Sequence, residues 1–220
     1  MSLEFLEGQT GPDPTATIIV LHGLGADGND FVPIAQQMDL SAVGHVRYVF
    51  PSAPVRPVTI NNGYRMRAWY DILGMDLVRR EDEAGLRNSQ AEIEALIALE
   101  VERGIPARRI VLMGFSQGCA MTLMTGLRHP ERLAGLVCLS GYLPLADKIE
   151  AERHAANADV PIFMAHGLQD PVVQFARGQA SYEHLKKLGY SIDWHDYPMP
   201  HSVCAQEVDD LAHWLREQLA

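Results

Sequence analysis

Residues 114–118 read Gly-Phe-Ser-Gln-Gly, between the apolar run Ile110-Val111-Leu112-Met113 and a helix-compatible stretch from Cys119 to Met124. A serine on a sharp strand-to-helix turn lifts its hydroxyl above a sheet edge, and glycines two residues away on either side let the chain turn without side-chain collisions. Such a hydroxyl attacks a carbonyl at neutral pH only when a base takes its proton and an acidic group fixes the tautomer of that base. Ser116 is therefore the expected nucleophile of an acyl-transfer site. The remaining chain must supply a carboxylate, an imidazole and donors for the oxyanion.

Where a nucleophile sits on such an elbow, the acid follows it in the chain and the histidine comes last. The apolar run Val160-Pro161-Ile162-Phe163-Met164-Ala165 leads into His166-Gly167-Leu168-Gln169-Asp170, which puts Asp170 in a loop just past a buried strand. Residues 191–197 alternate as a strand, and Pro198-Met199-Pro200-His201-Ser202 follows, so His201 lies past a strand end too. Three such loops of one parallel sheet meet at its carboxyl edge, where open α/β sheets place their chemistry. Of the nine histidines, His22 and His166 each precede a glycine and read as structural turn residues, and His195 lies on the strand itself. Asp193 and Asp196 come too late, and Asp147 and Asp159 too early, to rival Asp170.

An oxyanion needs two donors, commonly the amide after the nucleophile and one from the loop after an early strand. Gln117 N–H meets the first requirement by position. The strand at residues 15–21 runs into His22-Gly23-Leu24-Gly25-Ala26-Asp27-Gly28, and Leu24 N–H is the expected second donor. Gly23, Gly25 and Gly28 also match the spacing of a dinucleotide-binding loop, but the next strand, residues 46–50, ends in Pro51-Ser52-Ala53-Pro54 and carries no acidic residue for a ribose.

Strand-like and helix-like segments alternate from Thr15 to Ala220, the pattern of a mostly parallel sheet with helices on both faces. Residues 85–103 place Leu86, Ile93, Leu96, Ile97 and Val101 on one helical face before Gly104 and Pro106 end the run, and a last helix is expected near Val203 with Ser202 as its cap. No repeat, low-complexity tract or linker divides the 220 residues, so residues 1–220 read as one domain.

Taken in order, His22-Gly23-Leu24-Gly25, Trp69-Tyr70-Asp71-Ile72, Gly114-Phe115-Ser116-Gln117-Gly118, Asp170-Pro171-Val172-Val173 and His201-Ser202 resemble the carboxylesterase and acyl-protein thioesterase family, its bacterial carboxylesterase branch in particular. The resemblance covers nearly the whole chain. It implies an α/β-hydrolase fold, a Ser116, Asp170 and His201 triad, and hydrolysis of carboxylic esters of short to medium acyl chains, with thioesters of lipidated proteins as the second reading. It also implies an acyl groove under a loop at residues 63–80, with Leu73, Met75 and Val172 contributing. Where the family usually carries a second glycine after the elbow, this chain has Cys119.

The formal charge is −10 and basic residues never cluster beyond pairs, which argues against nucleic acid and anionic membrane surfaces as partners. The N-terminal residues lack a secretory pattern and no stretch approaches the roughly 20 apolar residues of a membrane span, so a cytoplasmic protein without membrane insertion is expected. Three cysteines in apolar surroundings suggest reduced thiols, no Cys or His pair has the spacing of metal ligands, and no cofactor is implied. The expected partner is a small-molecule or lipid ester, with a homodimer through the 63–80 loop as the self-association to consider. A hydrolase-fold protein that binds esters without turnover, and a peptidase on the same fold, are the readings from other classes.

Overall fold

The computed structural model describes residues 3–74 and 81–220. Its centre is a seven-stranded sheet built from β1 (Glu4–Gln9), β2 (Ala16–Leu21), β3 (Val46–Ser52), β6 (Ile110–Phe115), β7 (Gly135–Leu139), β8 (Ile162–Gly167) and β9 (Ile192–Tyr197), in the order β1-β3-β2-β6-β7-β8-β9. Every neighbouring pair is parallel except β1 with β3. β4 (Val55–Val58) and β5 (Tyr64–Arg67) form a separate antiparallel hairpin. The chain thus has the α/β-hydrolase arrangement, with two further features: the β1 edge strand, and the β4–β5 hairpin, whose second strand takes up residues 64–67 of the 63–80 segment.

β2 is buried at all six positions, as expected of a strand covered on both faces. Its Ile19 and Leu21 join a core with Leu86, Ile93 and Ile97 of α2 (Glu83–Glu102), Met121 and Met124 of α3 (Gln117–Gly126) and Leu185 of α5 (Phe175–Lys187). Its Ile18 and Val20 enter the opposite core with Ala35 of α1 (Val32–Gln37) and Val208, Leu211 and Leu215 of α6 (Ala205–Gln218). The helical face read at residues 85–103 is the buried face of α2, whose first turn is capped by the Asp82 carboxylate accepting from Gly85 N–H at 2.9 Å.

The last helix begins at Ala205 rather than near Val203, with Cys204 at its N-cap. Ser202 donates its amide to the Pro200 carbonyl at 2.9 Å, and this turn holds residues 200–202 out of the helix.

The elbow depends on two close backbone approaches. A Cβ at Gly118 would lie 2.0 Å from the Leu21 carbonyl oxygen, so the first turn of α3 abuts the end of β2, and a Cβ at Gly114 would lie 2.2 Å from the Gly118 carbonyl. Cys119, in the family's second-glycine position, does not disturb this packing: it is fully buried against Gly141, where an added Cβ would meet the Cys119 Cβ at 2.4 Å. Gly118→Ala should therefore cost about 3 kcal/mol or more. In thermal melts its Tm should fall by roughly 6–12 °C or more, while Gly8→Ala, with open space around it, keeps Tm within about 2 °C of the parent.

Candidate active site

Ser116 sits between β6 and α3 with φ 56° and ψ −113°, a conformation that L residues rarely adopt. Its amide donates to the Leu139 carbonyl at 2.8 Å and its carbonyl accepts from Ala120 N–H at 3.2 Å, so flanking β7 and the first turn of α3 hold the turn in place. Strain of this kind persists where surrounding contacts over-determine the backbone, as they do here.

The loops after β8 and β9 are stitched together before they reach Ser116. Leu168 N–H donates to the Tyr197 carbonyl at 2.8 Å and Gln169 N–H to the Met199 carbonyl at 3.1 Å. Gly167 lies so close to the second loop that a Cβ would meet the Met199 and Pro200 carbonyls at 2.4 Å. These contacts bring Asp170 and His201 together: His201 Nδ1 is 2.6 Å from Asp170 Oδ2, and His201 Nε2 is 2.9 Å from Ser116 Oγ. The Asp170 side chain is fully buried while that of His201 keeps 15% exposure, and Phe115 lies against the imidazole with ring centroids 4.7 Å apart. Asp170 Oδ1 accepts from Val172 N–H at 2.8 Å and Val173 N–H at 2.9 Å, which fixes the carboxylate plane. Nδ1–H donating to Asp170 leaves Nε2 as the acceptor for the serine proton.

A Cβ at Gly23 would lie 3.4 Å from the Ser116 Cβ, which brings the His22–Gly28 loop beside the nucleophile. Among the described residues neither the Leu24 nor the Gln117 amide donates to a protein acceptor. The loop is tied from behind: Gly25 N–H donates to the Arg67 carbonyl at 2.9 Å, His22 Nε2 accepts from Ala53 N–H at 3.0 Å, and the His22 carbonyl accepts from Trp69 Nε1 at 2.9 Å. Burial lowers the His22 pKa, so this ring is a neutral structural strut, as its place in the sequence suggested.

The Gln117 side chain has a role that its sequence position concealed. Its Oε1 accepts from Trp69 N–H at 2.8 Å and its Nε2 donates to the Tyr70 carbonyl at 2.8 Å, clamping the Trp69-Tyr70 segment onto the elbow. Of the three residues expected in an acyl groove, Val172 is 61% and Leu73 is 41% exposed, and Met75 lies outside the described residues. Val172 reaches the site through its amide on Asp170. Among the described residues no cluster of three or more His, Cys, Asp or Glu side chains could hold a metal ion, and no helix is long and apolar enough to cross a membrane.

Fold and site together define a serine hydrolase of the α/β-hydrolase class. The model of the phospholipase/carboxylesterase family matches residues 9–219, and the chain belongs to that family. It is 40% identical over 210 residues to acyl-protein thioesterase 1 of Yarrowia lipolytica, covering 93% of this chain and 92% of that protein. It is 42% identical to acyl-protein thioesterase 1 of Mycosarcoma maydis, covering 95% and 93% of the two chains. The crystal structure of Arabidopsis thaliana SOBER1 superposes with a TM-score of 0.88 at 32% identity, covering 93% of this chain and 99% of that one.

Behind the His201 loop lies a second buried carboxyl. Glu207, in the first turn of α6, is fully buried, with no side-chain donor on either oxygen among the described residues and only the Cys204 amide close by. Burial pushes its pKa from 4.5 up to about 8, the Cys204 amide pulling the other way only in part. A raised pKa means that the folded chain favours the protonated acid, so its stabilisation is complete below about pH 4.5 and is lost as pH rises toward about 8. Glu207→Gln should consequently gain Tm relative to the parent between about pH 5 and pH 8; parallel Tm curves over that window would contradict the buried neutral acid.

Proposed function

We propose that the chain is an acyl-protein thioesterase, hydrolysing thioesters that link fatty acyl groups to protein cysteines. The sequence alone ranks oxyesters of short to medium chains first, and the order is reversed here on one observation: full-length relatives at about 40% identity bear the acyl-protein thioesterase name. The intact hydrogen-bonded line from Asp170 through His201 to Ser116 supports turnover over ester binding without reaction.

In the proposed cycle His201 Nε2 takes the Ser116 proton as Oγ attacks the thioester carbonyl, and Asp170 keeps the resulting imidazolium oriented. The Leu24 and Gln117 amides bind the oxyanion. Collapse of the tetrahedral intermediate breaks the C–S bond, the leaving thiolate receives the proton from His201, and an acyl-Ser116 ester remains. Water, deprotonated by His201, then releases the fatty acid and restores Ser116. The acyl chain runs along exposed apolar side chains beside the site, Leu73 and Val172 among them, with Met75 as the third proposed contributor. Residues 1–220 act as one domain in the cytoplasm, where the free Cys119, Cys138 and Cys204 fit reducing conditions, and a homodimer is the oligomer to test.

The expected outcome is a higher kcat/KM for a palmitoylated cysteine peptide than for p-nitrophenyl esters matched in chain length. Ser116→Ala should lower both turnovers by on the order of 10⁶. A preference of about tenfold or more for the oxyester would restore the carboxylesterase reading, and activity surviving in the alanine variant would remove Ser116 as nucleophile.

A further inference from the structure

His166, the last residue but one of β8, is 1% exposed and reads in the sequence as a turn residue. The structure gives it a more specific place. Its Nε2 lies 2.8 Å from the Val173 carbonyl oxygen and 3.5 Å from Asp170 Oδ2, the oxygen that His201 also engages. Val173 in turn donates its amide to Asp170 Oδ1 at 2.9 Å. The imidazole thus closes a circuit from one carboxylate oxygen through Val173 to the other.

An ionised carboxylate offers about four lone-pair sites, and three of those on Asp170 are met by the Val172 amide, the Val173 amide and His201 Nδ1. The carboxylate has no exposure to solvent, so water does not reach the fourth. We propose that His166 is a positioning residue of the catalytic triad, its Nε2–H shared between the Val173 carbonyl and the fourth site of Asp170. This rests on the triad reading above but not on the choice of thioester over oxyester.

The surroundings specify the tautomer and keep the ring in place. Gly178 of α5 packs so closely that a Cβ there would meet His166 Nδ1 at 2.3 Å, and Phe175 meets the ring edge-on at 5.9 Å. The charged or titratable groups facing the ring are Asp170 and His201, with Asp196 opposite it in the β9 register. Burial lowers the His166 pKa, its largest influence, so the ring stays neutral with its single proton on Nε2. A neutral donor orients the carboxylate without competing with His201 for its charge. Were His166 cationic, it would neutralise Asp170 and weaken the support that the His201 imidazolium needs.

The test compares His166→Phe, His166→Gln and His166→Asn on one ester substrate across pH, with Ser116 labelling by a fluorophosphonate and Tm measured for each. Gln places an amide nitrogen near the position of Nε2, whereas Asn stops short of it and Phe has no donor. The expected result is a fall in kcat of about tenfold or more for Phe and Asn, with KM within about twofold and near-parent kcat for Gln, as the loss of one donor to a buried charge implies. With one donor gone, Asp170 attracts the His201 proton more strongly, so the acidic limb of the kcat/KM profile should move to higher pH in Phe and Asn and stay in place in Gln. If Phe does not fold, the Gln and Asn pair carries the same contrast. Equal kcat and an unmoved acidic limb in the Asn variant, or a Gln variant no better than Asn, would overturn the inference while leaving the triad intact. A parent chain that the fluorophosphonate does not label at Ser116 would overturn both.

Discussion

The constraint on which the site depends is the approach of α3 to the end of β2, where only a hydrogen fits between the Gly118 α-carbon and the Leu21 carbonyl. That contact sets the first turn of α3 directly beneath the sheet edge and forces Ser116 to φ 56°. A backbone held in such a region costs on the order of 1–3 kcal/mol, and hydrogen bonds to Leu139 and Ala120 offset it. The same turn sends the Gln117 side chain back to Trp69 and Tyr70. One pair of glycines therefore governs the Ser116 turn and the anchoring of a neighbouring loop.

Two buried carboxyls lie within a few residues of His201 in the chain or in space, and their surroundings give them opposite characters. Asp170 is surrounded by donors, the Val172 and Val173 amides and His201, which hold its carboxylate in the orientation that an imidazole partner requires. Glu207 is equally buried but has only the Cys204 amide as a nearby donor, and burial raises its pKa. Donor supply, rather than depth, separates them. His166 belongs to the same logic, since its Nε2 lies 3.5 Å from the oxygen that Asp170 presents to His201.

The parallel sheet, and the loop positions that bring Ser116, Asp170 and His201 together, were legible because each rests on a local pattern: a buried apolar run followed by a polar loop. β2, β6 and β8 are buried along their full length or nearly so, which produces continuous apolar stretches. β1 gave no such signal because it is an edge strand with four of its six residues exposed, and the β4–β5 hairpin is short, carries Pro57 and is largely exposed. The start of α6 was placed early because Ser202 looked like a cap, whereas its amide is spent on a turn with Pro200. The clamp by Gln117 and the reach of His166 to Asp170 and Val173 are contacts of side chains across folded loops, and no local periodicity encodes them. Substrate preference was the least legible feature, because ester and thioester cleavage ask for the same triad.

Acyl transfer through Ser116 is tested most directly by trapping the intermediate. The protein would be mixed with a palmitoylated cysteine peptide, quenched in acid within one turnover, and digested for peptide mass spectrometry. The expected result is a palmitoyl adduct on the peptide containing Ser116, formed as the free thiol appears and decaying as fatty acid is released. Thiol release in a full turnover with no acyl adduct at Ser116 at any quench time would contradict it.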